Sequence, residues 1–484
     1  MLEHAIFASP VSSIPKGAPT PSSAKKIYTS LFAGAACHEA EAFLSGQLDQ
    51  ARTLPCDLPE DPAELHAWAE RNQQRVTETY AAYLAERKAG KSRRYFSSVA
   101  HALYFIRGVA PTKLVDGAWL YGCLAQWQEN DFRPLIKTYV EELGEGAPAK
   151  NHVVLYQRLL DTHGVADWSE LGEEHFTQGA IQLALAQTDR GALPEVVGYN
   201  LGYEQLPLHL LISSYELNEL GIDPYYFTLH LTVDNASTGH AHDAIEAVLR
   251  LMQRAADPAE FYQRVRDGYR LNDLGASSTS VIQGFSLDAE VVRVLAAKAR
   301  VGKHMHSDYC RVAGKSINDW LAEPAQIPAL LREFERTGWI TRGQAPANSR
   351  FWRLIEGERA EMFGVFSPYE RQVMADWISS PAASGAPAPA PRIASFRSRT
   401  RALEQVPDRV APTRSQRQII RQIYDEEARQ AMTGNDLLRA LEQDVAQAPT
   451  RAAAIALLLP HLSPTRHHTA VGLMATRLFA RMYA

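Results

Sequence analysis

The stretch that most constrains the fold runs from residue 199 to residue 246. Glu204 lies in a helical pattern, and a second helix-like segment carries His230 and Asp234 four positions apart. Residues at this spacing lie on the same face of a helix. A carboxylate on one helix, opposite an imidazole and a carboxylate on another, is typical of a buried metal site. The chain is therefore expected to bring several helices together around a metal.

The rest of the chain also favours helices. Of its 484 residues, 46% are hydrophobic, which is enough for a large core and for more than one domain. Apolar residues recur at helical spacing from about residue 27 to residue 90, with little strand-like alternation. Residues 94–128 are the most apolar stretch, and their turn signal from Gly108 to Pro111 predicts two core helices joined by a bend. The predicted fold class is all-α.

Three charged residues, Arg107, Lys113 and Asp116, interrupt this apolar stretch. A buried charge must be paired or must bind a ligand. The alternative is that all three lie on the exposed sides of their helices. Arg107, Lys113 and Tyr203 are also candidates for anchoring a carboxylate or another polar group of a substrate.

Charge and cysteine content argue against several classes of function. Lysine and arginine number 50 against 55 aspartates and glutamates, which gives a formal net charge of -5. This balance disfavours nucleic acid or an anionic membrane as the main partner. The four cysteines show no metal-ligand spacing. Neither a signal-peptide pattern nor an apolar run of about 18 residues occurs, so a cytoplasmic location with reduced thiols is expected.

A helix break upstream supplies further candidate ligands. The glycine-rich segment after Glu142 must end one helix, and Asn151 is a candidate N-cap for the next helix, which His152 begins. Glu142 and His152 can therefore converge although they are ten positions apart. A carboxylate at a helix C-terminus faces the negative end of the macrodipole, and a bound cation would offset that penalty. Glu141 is the alternative to Glu142.

Together these segments supply three carboxylates and three imidazoles as candidate metal ligands. They are Glu142, His152, Glu204, His230, Asp234 and His240. This mixture of oxygen and nitrogen donors suits iron or manganese and leaves room for dioxygen, unlike a thiolate site. Because carboxylates bridge two cations well, two metals are more natural than one.

The order of these ligands resembles that of the haem-oxygenase-like di-iron oxidases and oxygenases, the iron-containing redox enzyme family. In that family three helices supply Glu and His, then Glu, then His-x3-Asp-x2-His. The segments Glu141–Tyr156 and His230–His240 carry the resemblance, which covers roughly residues 60–260. It implies an all-α, haem-oxygenase-like helical bundle, here with additional N-terminal and C-terminal helices. It also implies two Fe(II) per chain and O2 as co-substrate.

The function implied by the resemblance is that of a non-haem di-iron, O2-dependent oxidase or oxygenase. Its reaction would be N-oxygenation, desaturation or oxidative C–C cleavage of an amine, amino acid or carboxylic acid in specialised metabolism. The expected partner is a small-molecule substrate, with no nucleic acid and no membrane, while an external electron donor and a homodimer are left open. The alternatives are a metal-independent acid/base enzyme on the same scaffold and a non-catalytic helical interaction protein.

The last histidine departs from the family's spacing, which would place it at Ser237. At about 100° per residue, His240 lies roughly 120° from Asp234 on an ideal helix, so a regular helix would aim its ring away from the site. A π-bulge or local unwinding from Asn235 to Gly239 would bring the ring back. His240 is therefore preferred, with His242 as the alternative.

Composition divides the chain into four parts. Residues 1–26 are rich in Pro, Ser and Ala and are expected to form a flexible lead-in. Residues 27–380 are assigned to the helical domain, and residues 381–391, rich in Pro, Ala, Gly and Ser, to a linker. Residues 392–484 are expected to form an accessory helical unit that packs on the main body or on another subunit.

Overall fold

The computed structural model describes residues 23–35, 37–233, 239–356, 360–362, 364–381, 395–403 and 436–483. The predicted lead-in is described only from Ser23 onwards, and the predicted linker only at Pro381. Asp234 and most of the predicted unwinding, residues 235–238, lie outside the described residues.

The described part of the chain is built from helices, which confirms the all-α prediction. The first twelve helices are α1 Ala24–Phe32, α2 Ala40–Ala51, α3 Leu65–Lys88, α4 Val99–Gly108, α5 Ala110–Lys113, α6 Arg133–Glu142, α7 His152–His163, α8 Thr177–Leu185, α9 Leu193–Tyr203, α10 Leu208–Glu219, α11 Tyr225–Val233 and α12 His240–Met252.

Eleven more helices follow. They are α13 Pro258–Arg270, α14 Ser278–Gln283, α15 Leu287–Gly302, α16 Ile317–Leu321, α17 Ile327–Arg336, α18 Arg350–Ile355, α19 Pro368–Ser379, α20 Phe396–Leu403, α21 (residues 436–447), α22 Arg451–Leu458 and α23 Ala470–Tyr483. Short 3-10 helices lie at Pro62–Glu64, Ala118–Gln126, Asn130–Phe132, Gly144–Gly146, Glu173–His175, Arg190–Ala192, Leu271–Asp273, Pro324–Gln326, Pro346–Asn348 and Leu459–Leu462. Two strands, β1 Arg311–Val312 and β2 Lys315–Ser316, pair antiparallel.

Two properties bear on the environment of the protein. Across the described ranges, no helix is both long and apolar enough to cross a lipid bilayer. The four cysteines are free thiols, and Cys123 is buried whereas Cys310 is exposed.

The buried apolar side chains form two clusters. The first cluster takes residues from α1, α2, α6, α8, α9, α12, α13 and α23. The second cluster takes residues from α4, α7, α10, α11, α15, α17 and α19. Four crossings of the chain between the clusters are Leu114 to Val115, Leu143 to Val153, Leu201 to Leu210, and Phe227 to Ala244. Polar side chains at these crossings can therefore meet between the two clusters.

The break between α6 and α7 lies where the glycines after Glu142 and the N-cap candidate Asn151 predicted it. Gly144, Glu145 and Gly146 take left-handed backbone with φ of 63°, 52° and 79°. This conformation is open to glycine but uncommon for other residues, and it cannot continue a helix. Asn151 Oδ1 then accepts from the Val154 N–H at 3.0 Å, which caps α7.

The apolar stretch 94–128 differs from its prediction of two core helices. α4 ends at Gly108 as expected, but α5 is a single turn, and a 3-10 helix replaces the second core helix. Gly117 follows Asp116 with φ of 79°, and a Cβ there would lie 3.0 Å from the Cβ of Glu142. The glycine therefore lets the turn that carries Asp116 approach the end of α6.

Helices α9 and α13 pack closely because two glycines face the backbone of the partner helix. A Cβ on Gly198 of α9 would lie 1.9 Å from the carbonyl oxygen of Val265. A Cβ on Gly268 of α13 would lie 2.1 Å from the carbonyl oxygen of Glu195. This close approach fixes α9, the helix that Glu204 follows.

Gly198→Ala is expected to lower the free energy of unfolding by about 1–3 kcal/mol, because the added methyl group would force α9 and α13 apart. Gly46→Ala is the matched control in α2, since nothing lies within 4 Å of its Cβ position. This control is expected to stabilise the protein by up to about 1 kcal/mol. Denaturant unfolding measures both changes. Equal effects of the two substitutions would contradict the close packing.

Candidate metal centre

Two overlapping groups of buried side chains lie between the apolar clusters. In each group, one potential ligand atom per residue lies within 4.8 Å of the others. The first group is Asp116, Glu142, His152 and His230, and the second group is Glu142, Glu204 and His240. All six residues are between 1% and 4% exposed. Glu142 belongs to both groups, so the two form one continuous polar centre.

Five of the six ligands predicted from the sequence meet in these groups. The sixth, Asp234, lies outside the described residues. Glu141 was left open as the alternative to Glu142, and His242 as the alternative to His240. Glu142 and His240 are the residues that lie in the centre. Glu141 is instead one-third exposed at its side chain, and the ring of His242 lies 5.3 Å from the ring of His66.

The sequence predicted that Glu204 lies within a helix, but in the structure it lies at the end of one. α9 ends at Tyr203, and the Glu204 N–H still bonds back to the carbonyl of Asn200. Pro207 then precedes α10 in extended backbone, because proline has no N–H for a continuing helix. The carboxylate of Glu204 therefore leaves the end of α9 at a crossing between the clusters.

A break in the helical backbone also places His240. α11 ends at Val233, α12 begins at His240, and Gly239 between them is extended with φ of -95° and ψ of -164°. The angle that a regular helix would impose between Asp234 and His240 therefore does not apply. The ring of His240 enters the second group.

The ring of His240 lies between carboxylates on both sides. Nε2 lies 2.9 Å from Oε2 of Glu141, while Nδ1 lies 3.2 Å from Oε2 of Glu204 and 3.4 Å from Oε1 of Glu142. A carboxylate that accepts from one ring nitrogen orients the ring and fixes its tautomer. Glu141 is thus in a position to hold the ring while Nδ1 faces the centre.

The ring of His230 is oriented by its own helix. Its Nδ1 lies 2.9 Å from the carbonyl oxygen of Tyr226, which can only accept, so Nδ1 carries the proton. Nε2 therefore faces the centre, 3.2 Å from Oδ2 of Asp116. The ring of His152 lies alongside, with the two ring centroids 4.3 Å apart.

Asp116 is the member of the centre that the ligand prediction missed. The hydroxyls of Tyr203 and Tyr226 each donate to its carboxylate at 2.6 Å. Lys113 donates to the Tyr203 hydroxyl at 2.8 Å. The signal in the sequence was a charged residue next to glycine inside the most apolar stretch. Arg107, from the same stretch, is used elsewhere and donates to the carbonyl of Asp167.

Opposite charges balance one another within the first group. Burial raises the pKa of Asp116, but Lys113, His152 and His230 bring it well below its ordinary value. Burial also raises the pKa of Glu142, but His152 brings it below its ordinary value. Burial lowers the pKa of His152, whereas Glu142 and Asp116 raise it, to about 10. A metal-free His152 is therefore protonated at neutral pH.

The donor set is that of a carboxylate and histidine metal centre inside a helical bundle. Residues 103–273, which include all six members of the centre, match the model of a family described as iron-containing redox enzyme. The match supports the resemblance to the haem-oxygenase-like iron-containing redox enzymes that the ligand order predicted. It also supports an iron-dependent oxidoreductase. No curated protein and no solved structure matches the chain.

The stability of the metal-free protein is expected to fall as the pH rises. A histidine whose pKa is raised by folding stabilises the fold below its unfolded pKa of about 6.5. That contribution is lost as the pH rises through the folded value, about 10 for His152. Melting temperatures of chelator-treated protein should therefore decrease from about pH 6.5 to about pH 9.5. His152→Gln should flatten this slope, and an unchanged slope in the variant would contradict the assignment to His152.

Proposed function

We propose that this chain is a non-haem di-iron, O2-dependent oxidase or oxygenase that acts on a small molecule. Two Fe(II) ions would be held by the residues predicted from the sequence together with Asp116. The proposed ligands are Asp116, Glu142, His152, Glu204, His230, Asp234 and His240. The match of residues 103–273 to a family described as iron-containing redox enzyme supports the choice of iron over manganese.

The observation that carries this proposal is the shared position of Glu142. Its Oε2 contacts Nδ1 of His152 in the first group, while its Oε1 lies 3.4 Å from Nδ1 of His240 in the second group. One carboxylate thus turns one oxygen to each group. Carboxylates that serve two ions in this way are the central feature of di-iron sites built from helices.

The chemistry of the donors fits a bound cation. Oε2 of Glu142 and Nδ1 of His152 are fully buried and in contact, yet within the described part of the chain neither makes a hydrogen bond of acceptable geometry. A metal ion that displaced the proton of His152 would find a carboxylate oxygen and an imidazole nitrogen side by side as donors. The centre contains carboxylates and imidazoles and no thiolate, and this set suits iron.

The residues around the centre hold its donors in place. Tyr226 accepts from His230 through its carbonyl and donates to Asp116 through its hydroxyl. Tyr203 donates to the other oxygen of Asp116. Partners of this kind fix the orientation of metal ligands. The exposed fraction of the six side chains is small enough to exclude bulk water, which protects reactive species from side reactions.

Iron bound in this centre would supply the activation of dioxygen for oxidation of an organic substrate. The expected reactions are N-oxygenation, desaturation or oxidative C–C cleavage of an amine, amino acid or carboxylic acid. Lys113 is half-buried beside the centre and reaches the Tyr203 hydroxyl, so its ammonium group is a candidate anchor for a substrate carboxylate. An external electron donor and a homodimer remain compatible with this function.

The number of iron ions bound per chain distinguishes a proposed ligand from a neighbouring residue. Anaerobic titration with Fe(II), followed by elemental analysis, should give about two irons per chain for the wild-type protein. His240→Ala is expected to lose about one iron, because it removes a donor from the second group. His242→Ala is the matched control two residues away and should retain both. Equal iron contents for the two variants would contradict the proposed second site.

The response to oxygen tests the activity. An oxygen pulse on the Fe(II)-loaded protein should oxidise the iron, measured with an oxygen electrode and by the loss of Fe(II) to a chelating dye. Asp116→Ala is expected to slow this oxidation about tenfold or more by weakening the first group. Glu145→Ala, in the turn after α6, is the control. A reaction that survives strong chelation would instead favour the metal-independent acid/base enzyme.

A further inference from the structure

The C-terminal hairpin, residues Arg451–Tyr483, contacts the helix break that carries Glu142 and His152. It consists of α22, the 3-10 helix Leu459–Leu462 and α23. Its buried side chains, among them Leu458, Leu462 and Phe479, belong to the same apolar cluster as Leu143. The family match ends at residue 273, so the hairpin lies outside the matched part of the chain.

The backbone of the turn after α6 fits closely against α23. A Cβ on Gly146 would lie 2.3 Å from the carbonyl oxygen of Leu473, so the two backbones are in contact. Arg477 donates to the Gly146 carbonyl at 3.0 Å. On the helix side of the break, the Tyr139 hydroxyl donates to the Leu462 carbonyl at 2.5 Å. The hairpin therefore holds the chain just before and just after Glu142.

Asn151 connects the hairpin to both ends of the break. Its side-chain nitrogen donates to the carbonyl of Leu143, the residue at the end of α6, at 3.1 Å. The same nitrogen lies 3.1 Å from Nδ1 of His467. Its side-chain oxygen caps α7 through Val154. Asn151 itself is fully buried, and His467 is 2% exposed.

These contacts require one orientation for each side chain. Because Oδ1 of Asn151 accepts from a backbone N–H, its amide nitrogen must face His467, where Nδ1 must accept. Burial lowers the pKa of His467, to about 3, so the ring is neutral and its proton lies on Nε2. The His467 ring therefore favours one orientation of the Asn151 amide. In that orientation the amide oxygen caps α7 and the amide nitrogen donates to the end of α6.

We infer that the C-terminal hairpin positions the metal-binding pair Glu142 and His152, and that His467 is the positioning residue that acts through Asn151. The inference rests on the proposed function, since it assigns a role toward the same metal centre. If the hairpin served only to cover apolar surface, its substitutions would lower stability and leave the affinity for metal unchanged.

The test measures Mn(II) binding, with Mn(II) alone as the probe, to the metal-free full-length chain. His467→Phe retains the buried ring but removes the acceptor, and it should weaken the affinity roughly tenfold or more. His467→Asn restores an acceptor near the Nδ1 position and should bind nearly as tightly as the wild-type protein. Ile455→Ala is the matched control, since it removes a fully buried apolar side chain from α22, the helix that precedes the hairpin residues named above as contacting the break. It should lower the melting temperature and leave the affinity unchanged.

A second variant keeps the inference testable if His467→Phe does not fold. Arg477→Met removes the bond to Gly146 from an exposed position, and it should weaken Mn(II) binding without a large loss of stability. Affinities of His467→Phe and Arg477→Met equal to that of Ile455→Ala would overturn the positioning role and leave the proposed function intact. A wild-type chain that binds no Mn(II) and no Fe(II) would overturn both.

Discussion

Charge buried between two apolar clusters is the constraint on which the centre depends. The carboxylates of Asp116, Glu142 and Glu204 are 2–3% exposed, and an ionised carboxylate stays buried only when other groups compensate it. The three imidazoles of the centre provide part of that compensation by approaching the carboxylates directly. A cation at the point where these donors converge would compensate them further, because it places positive charge between all of them. Metal binding at this centre would therefore be coupled to the stability of this region.

The path of the chain explains how so many polar groups reach one place. Each member of the centre lies within, or one residue from, a segment where the chain passes from one apolar cluster to the other, and most of these crossings are helix ends. Glu142 and Glu204 stand at the C-terminal ends of α6 and α9, where the helix dipole disfavours a carboxylate. His152 and His240 stand at the N-terminal ends of α7 and α12, whose positive poles meet those carboxylates. The opposed helix ends thus reduce the cost of bringing the acidic residues together.

Local signals made much of this centre predictable. The glycines after Glu142 and the cap at Asn151 indicate the break between α6 and α7, because left-handed backbone and side-chain capping depend on neighbouring residues alone. The donor types indicated iron or manganese, and the ligand order resembled that of the family whose model matches residues 103–273. Asp116 could not be assigned in the same way. Its position depends on Gly117, which lets one turn approach α6 at Glu142, a residue 25 positions further along the chain.

The amino-acid sequence by itself determined the helical class, the helix break and most of the residues that meet in the centre, because each follows from local spacing and chemistry. Only the tertiary structure decided which of two nearby candidates turns inward, as for Glu142 over Glu141 and His240 over His242, since each residue along a helix turns the side chain by about 100°. It also decided the place of the C-terminal hairpin. His467 and Asn151 are 316 positions apart, and no local pattern encodes a contact that only the packing of a shared apolar cluster can make.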